Sequence, residues 1–462
     1  MEYDIIIIGT GPGGYKTAVA AAKKGLQVAI IEKADLGGTC LNFGCIPTKC
    51  LCHTAEVLTQ VREAATQGIS TGDVHFDLAA AINRKNTVID KLQSAIEALM
   101  KTPGITLYRG EARFVDSHTV NILSADDGGA KYVTETIKGR NIIIATGSVT
   151  KFLPIEGAHA PGVVTSTEML NLNSIPQRLC IIGGGVIGLE FASIYNSFGS
   201  EVTVVEFCKE ILPNFDRDTA KRLRTSLKKR GITFCTGAAA KSITPGTPMT
   251  VTCEEKGKNK VIDTDLVLMA VGRTANTGAI NLDDLNISYT ARGIVVDRYM
   301  QTTVPGIYAI GDVNGLMQLA HAASAQGTVA LQHIIAGNVQ SRCEPNLDII
   351  PAAVFTVPEV AMVGKTEEQL AEQGIAYKVH KSFYRANGKA LSMDADEGVV
   401  KLLADENGIL LGAHIMGAHA SDLIHEITVL MQKGGNIEDI RTTIHAHPSL
   451  SEIILAASEF SD

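Results

Sequence analysis

One unit occurs twice in this chain, and that repetition constrains the fold more than anything else in the sequence. At the start, the apolar run Ile5–Ile8 leads into Gly-Thr-Gly-Pro-Gly-Gly, a helical pattern follows, and a second apolar run closes on Glu32. Far downstream, "RLCIIGGGVIG" (Arg178–Gly188) begins the same progression, which closes on Glu206. Gly9, Gly11 and Gly14 correspond to Gly183, Gly185 and Gly188, and each acid lies 23 residues after its first glycine. Strand, glycine turn, helix and strand joined by short links are the start of a parallel sheet. The echo continues in "NIIIATG", which turns at Gly147, and "TDLVLMAVGR", which turns at Gly272. The fold expected is α/β, with two Rossmann-like dinucleotide-binding domains in tandem.

Each glycine triplet fits G-x-G-x-x-G between a strand and a helix. The first glycine permits a tight turn, the second lets the backbone approach a pyrophosphate, and the third lets helix and strand pack closely. The helix N-terminus then presents unpaired N–H groups to the phosphates. Glu32 and Glu206 are placed to accept hydrogen bonds from ribose hydroxyls. A carboxylate at Glu206 welcomes a 2′-hydroxyl and repels a 2′-phosphate, and no arginine follows it closely, so NAD is favoured over NADP at the second unit. The alternative for either triplet is a glycine turn without a ligand. Two such units in one chain imply two dinucleotides, one of them a bound flavin. Gly311 and Asp312, in "TTVPGIYAIGDV", resemble the pair with which two-dinucleotide flavoproteins hold a ribityl chain; otherwise Asp312 is a helix cap.

The 462 residues suggest about three domains, and 45% hydrophobic content suffices for several cores. Residues 75–105 look helical, with Leu78, Ile82, Ile89, Leu92, Ile96 and Leu99 near the 3.6 period. After Pro345 the pattern changes to strands joined by turns, one through Asn407-Gly408, then a helix from Ala420 to Lys433. Residues 346–462 are expected to be a separate α+β domain. The net charge of −8 argues against nucleic acid or an anionic membrane surface as the main partner. No apolar run is long enough to span a membrane. The acidic start "MEYD" is unlike a secretory signal, and nine cysteines without framework spacing fit cytosolic thiols, so a cytoplasmic location is expected.

Two of those cysteines stand out in "LGGTCLNFGCIPTK" (Leu36–Lys49). Cys40 and Cys45 are separated by four residues. With Cys50 and Cys52 they give no usual zinc spacing, and no metal is expected. In a straight helix, residues five apart have Cα atoms roughly 8.5 Å apart, whereas a disulfide needs about 4.4–6.8 Å. A bridge here therefore requires an irregular segment, which Gly44 and Pro47 suggest. A bridge closing so short a loop restrains little unfolded-chain entropy, which favours a chemical role over a structural one.

This segment resembles the active-site segment of the pyridine nucleotide-disulfide oxidoreductases, and the resemblance runs through the whole chain. It implies FAD at the first unit and NAD+/NADH at the second. The flavin domain would comprise residues 1–150 and 276–345, the NAD domain 151–275, and a dimerisation domain 346–462. Cys40 would be the interchange thiol and Cys45 the thiol beside the flavin. In "HAHPSLSE", His447 and Glu452 match the family's base and the carboxylate that orients it, supplied by the other subunit, which implies a homodimer. His445 also matches a family position, without assigned chemistry, and Pro448 one where relatives have a cis peptide. Lys49 matches the lysine near the reactive flavin nitrogen and Glu190 its ion-pair partner; without the resemblance, such a pair reads as solvated surface on a loop. Flavin contacts are also implied for Lys33, Gly38, Thr39, Ala112, Ala145, Thr146, Gly147, Gly311, Asp312 and Ala320. Gly272 and Arg273 match the turn beside the nicotinamide cofactor. The motifs lie nearest the branch that oxidises dihydrolipoyl groups carried on lipoyl domains of multienzyme complexes. Departures are Phe43 for a usual valine, Ser449 for a usual threonine, and Ala322 and Gln326 where charged residues are common. Cys50, Cys52, Cys180, Cys208, Cys235, Cys253 and Cys343 match nothing catalytic and are read as buried or incidental thiols.

Overall fold

A computed structural model describes residues 2–126, 128–278, 280–337 and 345–460; Cys343 lies outside the described residues. The chain forms two compact units. One combines Met1–Pro47, Asn83–Lys151 and Arg273–Leu347; the other combines Thr48–Ile82, Phe152–Gly272 and Asp348–Asp462.

The isoleucine run explains the first unit. Strand Glu2–Ile8 is central, flanked in parallel by Val28–Glu32 and by Lys131–Ile144, with Ile105–Arg109 beyond the former and Ile307–Ala309 beside the latter. Ile6 and Ile8 face one apolar cluster, while Ile5 and Ile7 face another on the opposite side of the sheet. A strand covered on both faces has no polar side, so its sequence runs apolar without alternation. Two antiparallel strands, Thr119–Ala125 and Glu111–Asp116, extend the sheet beyond Lys131–Ile144.

The second unit repeats the construction. Its parallel sheet runs Thr233–Thr236, Glu201–Glu206, Arg178–Ile182, Leu266–Met269, Val163–Val164. Leu179 and Ile181 face one cluster, Cys180 and Ile182 the other. An antiparallel meander, Ala238–Thr244, Met249–Glu255 and Lys258–Thr264, follows it in sequence. The C-terminal segment is α+β, as expected. Five antiparallel strands run in the order Ala352–Val354, Glu359–Gly364, Leu410–Gly417, Val399–Ala404, Lys378–Phe383. Helices Ala420–Gln432 and Glu452–Glu459 share their apolar core. The turn at Asn407-Gly408 has Gly408 at φ +83°, and the Asp405 carboxylate accepts from the N–H groups of Asn407 and Ile409.

The expected helix over 75–105 spans Leu78–Met100, and its inner face agrees with the expected one in part: Ile96 is buried and Leu78, Ile82 and Ile89 are half-buried. Leu92 and Leu99 are exposed; Ala81, Lys85, Ile96 and Met100 are buried. The half-buried Gln93 lies on this stripe in place of Leu92, and its amide donates to the Asn42 Oδ1 at 2.7 Å. Hydropathy alone assigns such a position to solvent.

A buried ion pair anchors the helix Arg217–Lys229 to the C-terminal sheet. Lys401 donates to the Asp216 carboxylate at 2.7 Å, both side chains 1% exposed, and also contacts Glu367. Burial pushes the Asp216 carboxyl up, but His414 and Lys401 outweigh it and hold it below the usual range. A depressed carboxyl stabilises the fold above its unfolded pKa, and that contribution is lost as pH falls through the folded value. Lys401→Met leaves the Asp216 carboxylate without its cation, at an expected cost of about 3 kcal/mol near neutral pH. Urea unfolding should show this difference and show it shrinking in acid.

Candidate active site

The two glycine turns are geometric twins. Gly9 has φ +107° and a Cβ there would lie 2.4 Å from the Ala145 carbonyl oxygen; Gly183 has φ +113° and a Cβ there would lie 2.2 Å from that of Ala270. A Cβ on Gly14 would lie 1.9 Å from the Gly9 oxygen, and one on Gly188 2.0 Å from the Gly183 oxygen. These four positions are glycine because backbone already fills the space. Gly11 and Gly185 differ, since a Cβ at either would meet nothing within 4 Å. Packing among the described residues does not require glycine there, and the open space at the N-termini of helices Pro12–Lys23 and Val186–Phe198 fits a phosphate drawn close to the backbone.

The acids are twins as well. Glu32 Oε2 accepts from the Thr10 N–H at 2.9 Å and the Thr10 hydroxyl at 2.6 Å, and Oε1 accepts from Ala34 N–H at 2.9 Å. Glu206 Oε2 accepts from Gly184 N–H and Oε1 from Cys208 N–H, both at 2.6 Å. Each carboxylate is thus locked to its own glycine turn, in a position suited to a ribose.

Helix Gly38–Asn42, in the first unit, carries Thr39 and Cys40 and is capped by Phe43; helix Cys45–Arg62 begins two residues later and runs on from the first unit's segment into that of the second. The expected irregularity is this break. A Cβ on Gly44 would lie 2.9 Å from the Thr39 carbonyl oxygen, so the break is tight. Asn42, which the sequence reading passed over, secures it. Its amide donates to the carbonyls of Leu36 at 3.1 Å and Gly38 at 3.0 Å, and accepts from Gln93. Phe43 is exposed.

Gly311 and Asp312 lie in a single turn of 3₁₀ helix, Gly311–Asn314. Asp312 is not a plain cap: its Oδ2 accepts from the Ser148 hydroxyl at 2.5 Å. Arg273 donates to the same Ser148, through Nε to the hydroxyl and through a terminal nitrogen to the carbonyl, both at 2.7 Å. Burial pulls that guanidinium below its ordinary value, while Asp312 and Cys45 pull it back up. Arg273 therefore engages the turn after Gly147. Gln326 is buried, and its Oε1 accepts from Gly311 N–H at 2.7 Å and from the Asn314 amide at 2.9 Å. The residue that looked like a departure is the acceptor that shapes the turn of Asp312. Thr146 donates to the Asn276 carbonyl, Ala145 N–H to that of Ile8, and Gly147 has φ +72°. Lys33 is exposed beside Glu32, Ala112 is buried in Glu111–Asp116, and Ala320 begins helix Ala320–Ile335. Gly272, at φ +106°, ends the second unit's stretch just before Arg273.

In the second unit Lys49 reaches both oxygens of Glu190 at 2.8 Å. This is the ion pair that the family resemblance implies, and the alternative of a solvated pair on a loop does not apply. Both residues are on helices, Cys45–Arg62 and Val186–Phe198, and Glu190 is 3% exposed. Glu190 also accepts from Phe355 N–H at 3.1 Å, and the Lys49 ammonium sits 4.6 Å over the Phe355 ring. The partners are 141 residues apart, which is why local pattern could not show their burial.

His447 and Glu452 are brought together. His447 Nδ1 lies 2.9 Å from Glu452 Oε1, and Glu452 Oε2 accepts from Ser449 N–H at 2.7 Å. The Ser449 N–H first, and His447 second, hold the Glu452 carboxyl below its ordinary value. His447 is 80% exposed while Glu452 is mostly covered, so the ring is aimed outward from a fixed carboxylate. The His447–Pro448 peptide is cis. His445 points elsewhere, to Glu426 at 2.9 Å.

Comparison with known proteins agrees with this geometry. Residues 3–327 match the model of the pyridine nucleotide-disulphide oxidoreductases, and residues 350–458 match the dimerisation domain of the same family. Dihydrolipoyl dehydrogenase of Bacillus subtilis is 41% identical over 463 residues, and that of Geobacillus stearothermophilus 40% identical over 462; each alignment covers 99% of this chain and 96% of the relative. Among solved structures, the HOCl-induced flavoprotein disulfide reductase of Escherichia coli superposes with a TM-score of 0.85 at 31% identity, covering 99% of both chains.

Proposed function

Because the chain belongs to the pyridine nucleotide-disulphide oxidoreductase family, we propose that it oxidises protein-bound dihydrolipoamide to lipoamide and reduces NAD+ to NADH. The observation that carries the reading is the conjunction of Cys40 and Cys45 across a tight helical break with an outward-facing His447 held by Glu452. The higher identity to dihydrolipoyl dehydrogenases than to the disulfide reductase favours dihydrolipoamide over other dithiols or disulfides.

FAD is assigned to residues 1–150 and 276–345, and NAD+ to residues 151–275. Gly11 and Gly185 leave room for the two pyrophosphates, and Glu32 and Glu206 receive the riboses. Glu206 disfavours a 2′-phosphate and hence NADP. FAD, when bound, would supply the electron relay between the cysteine pair and the nicotinamide. His447 takes the proton from a substrate thiol, whose thiolate attacks the Cys40 sulfur, and the Cys45 sulfur is released as the thiolate. Glu452 holds the imidazole and stabilises its charged form. Lys49 would supply positive charge toward the flavin, and Glu190 fixes the position of the ammonium. The dimerisation segment, 346–462, makes the active species a homodimer in which His447 of one subunit serves the disulfide of the other. Lipoyl domains of 2-oxo acid dehydrogenase or glycine cleavage complexes are the carriers of the substrate. The scattered thiols are consistent with the cytoplasm.

Anaerobic addition of dihydrolipoamide should reduce the purified protein, and NAD+ should reoxidise it. Turnover only with NADPH and glutathione disulfide would overturn the proposal. The glycines offer a second check. Gly188→Ala should destabilise the fold by about 3 kcal/mol, since its Cβ would overlap the Gly183 oxygen. Gly185→Ala should leave the thermal midpoint nearly unchanged yet raise the KM for NAD+ by roughly tenfold or more. Equal KM values in Gly185→Ala and the parent chain would remove the phosphate role from that turn.

A further inference from the structure

Three cysteines that match nothing catalytic meet in one core. Cys180 lies on Arg178–Ile182, Cys235 on Thr233–Thr236 and Cys253 on Met249–Glu255, and all three are buried in the same cluster. The side chains of Cys235 and Cys253 are within hydrogen-bonding reach of each other. Lys260 stands directly opposite Cys253 in the antiparallel pair, so the two side chains leave the same face of the meander. Lys260 is an exposed residue, yet its Nζ lies 3.1 Å from the Cys235 sulfur. The lysine therefore reaches from the position opposite Cys253 to the Cys235 sulfur.

The two sulfurs are not equivalent. The ammonium is placed to stabilise negative charge on the Cys235 sulfur, the circumstance that makes a thiol nucleophilic. Cys253 is held as a thiol: burial pushes it up, and the neighbouring Cys235 pushes it further. Burial holds Cys180 protonated, deeper in the same core. The Lys260 ammonium is itself raised, first by its hydrogen bond to Cys235.

We propose that Cys235 and Cys253 form a second dithiol site, oxidised by hydrogen peroxide, with Cys235 as the attacking sulfur, Cys253 as the resolving thiol and Lys260 as the activating cation. The Cys235 thiolate attacks one peroxide oxygen, the O–O bond breaks, and hydroxide leaves, giving a sulfenic acid. The Cys253 sulfur then attacks that sulfur, an S–S bond forms, and the sulfenic oxygen leaves as water with the Cys253 proton. Two thiols and one peroxide become one disulfide and two waters. Cys235 pairs with Val205, the residue before Glu206. The new bond therefore ties the strand beside the acid of the second glycine unit to the meander.

The test uses the full-length, FAD-loaded protein. It is exposed to a few equivalents of peroxide, alkylated in denaturant, digested without reduction and analysed by mass spectrometry. The expected product is a peptide pair joined through Cys235 and Cys253 that dithiothreitol separates. Cys253→Ser should instead accumulate a dimedone adduct on Cys235. Lys260→Met should slow formation of the joined pair about threefold to fivefold. Recovery of both cysteines fully alkylated with or without peroxide, or joining of either one to Cys180, would overturn the proposal. So would absence of the dimedone adduct in folded Cys253→Ser, checked by its circular dichroism and flavin content.

Discussion

Cys45→Ser is expected to abolish dihydrolipoamide oxidation, lowering kcat by about 10⁴-fold or more, the scale on which loss of a covalent participant is felt. A hydroxyl cannot exchange with a disulfide, so the substrate thiolate has no S–S bond to attack. The fold should hardly notice. Cys45 is the first residue of helix Cys45–Arg62, where serine is well tolerated. A bridge between Cys40 and Cys45 would close a loop too short to contribute much unfolded-chain entropy. The thermal midpoint and bound flavin should therefore match the parent protein. A further measurement separates loss of the dithiol from loss of the flavin: NADH oxidation by an artificial acceptor that takes electrons from the flavin directly should persist. If dihydrolipoamide oxidation survives in Cys45→Ser, the proposed chemistry is wrong.

The parts of this molecule that were legible in its sequence are those with a local physical signature. The run Ile5–Ile8 reads as a strand because both faces of it are covered. Gly9 and Gly14 read as a turn because one backbone oxygen occupies the place of each missing Cβ. The break between Cys40 and Cys45 follows from the length of a disulfide set against the rise of a helix. What was not legible depends on partners remote in the chain. Gln93 takes the inner place that hydropathy gives to Leu92, because Asn42 is there to receive its amide. Gln326 looks like a lost charge until Gly311 and Asn314 are seen to donate to it. Lys49 and Glu190 are legible as a pair only through the family motif; local pattern alone reads them as solvated, whereas the helix Val186–Phe198 brings the carboxylate inside. In each case a polar side chain turns inward, wholly or in part, because its hydrogen bonds are satisfied there. Neither periodicity nor composition carries that information. Cys235 and Cys253 are the same kind of case: 18 residues apart and unremarkable in sequence, they are joined by the fold of the meander and by Lys260.

His447→Gln is expected to lower kcat by about 10²- to 10⁴-fold at pH 7, the usual worth of a positioned base. Glutamine keeps much of the ring's bulk but cannot take a proton. The substrate thiol must then ionise unaided, so the deficit should shrink as pH rises past about 8.5, where thiols ionise by themselves. A merely structural role for His447 would give no such recovery. Glu452→Gln should cost less, about 10- to 100-fold, because the imidazole loses its orienting charge but remains. The Glu452 carboxyl is held low, first by Ser449 N–H and then by His447, so it stays ionised to lower pH than an ordinary carboxylate. Its effect should accordingly persist to lower pH than an unperturbed glutamate would allow. Mixed dimers decide which subunit His447 serves. Pairing a His447→Gln subunit with a Cys45→Ser subunit puts both defects in one site and neither in the other, if the base acts across the two-fold. Such a dimer should regain about half the parental rate. If His447 serves its own chain, both sites carry one defect and the mixed dimer should be as inactive as either parent variant.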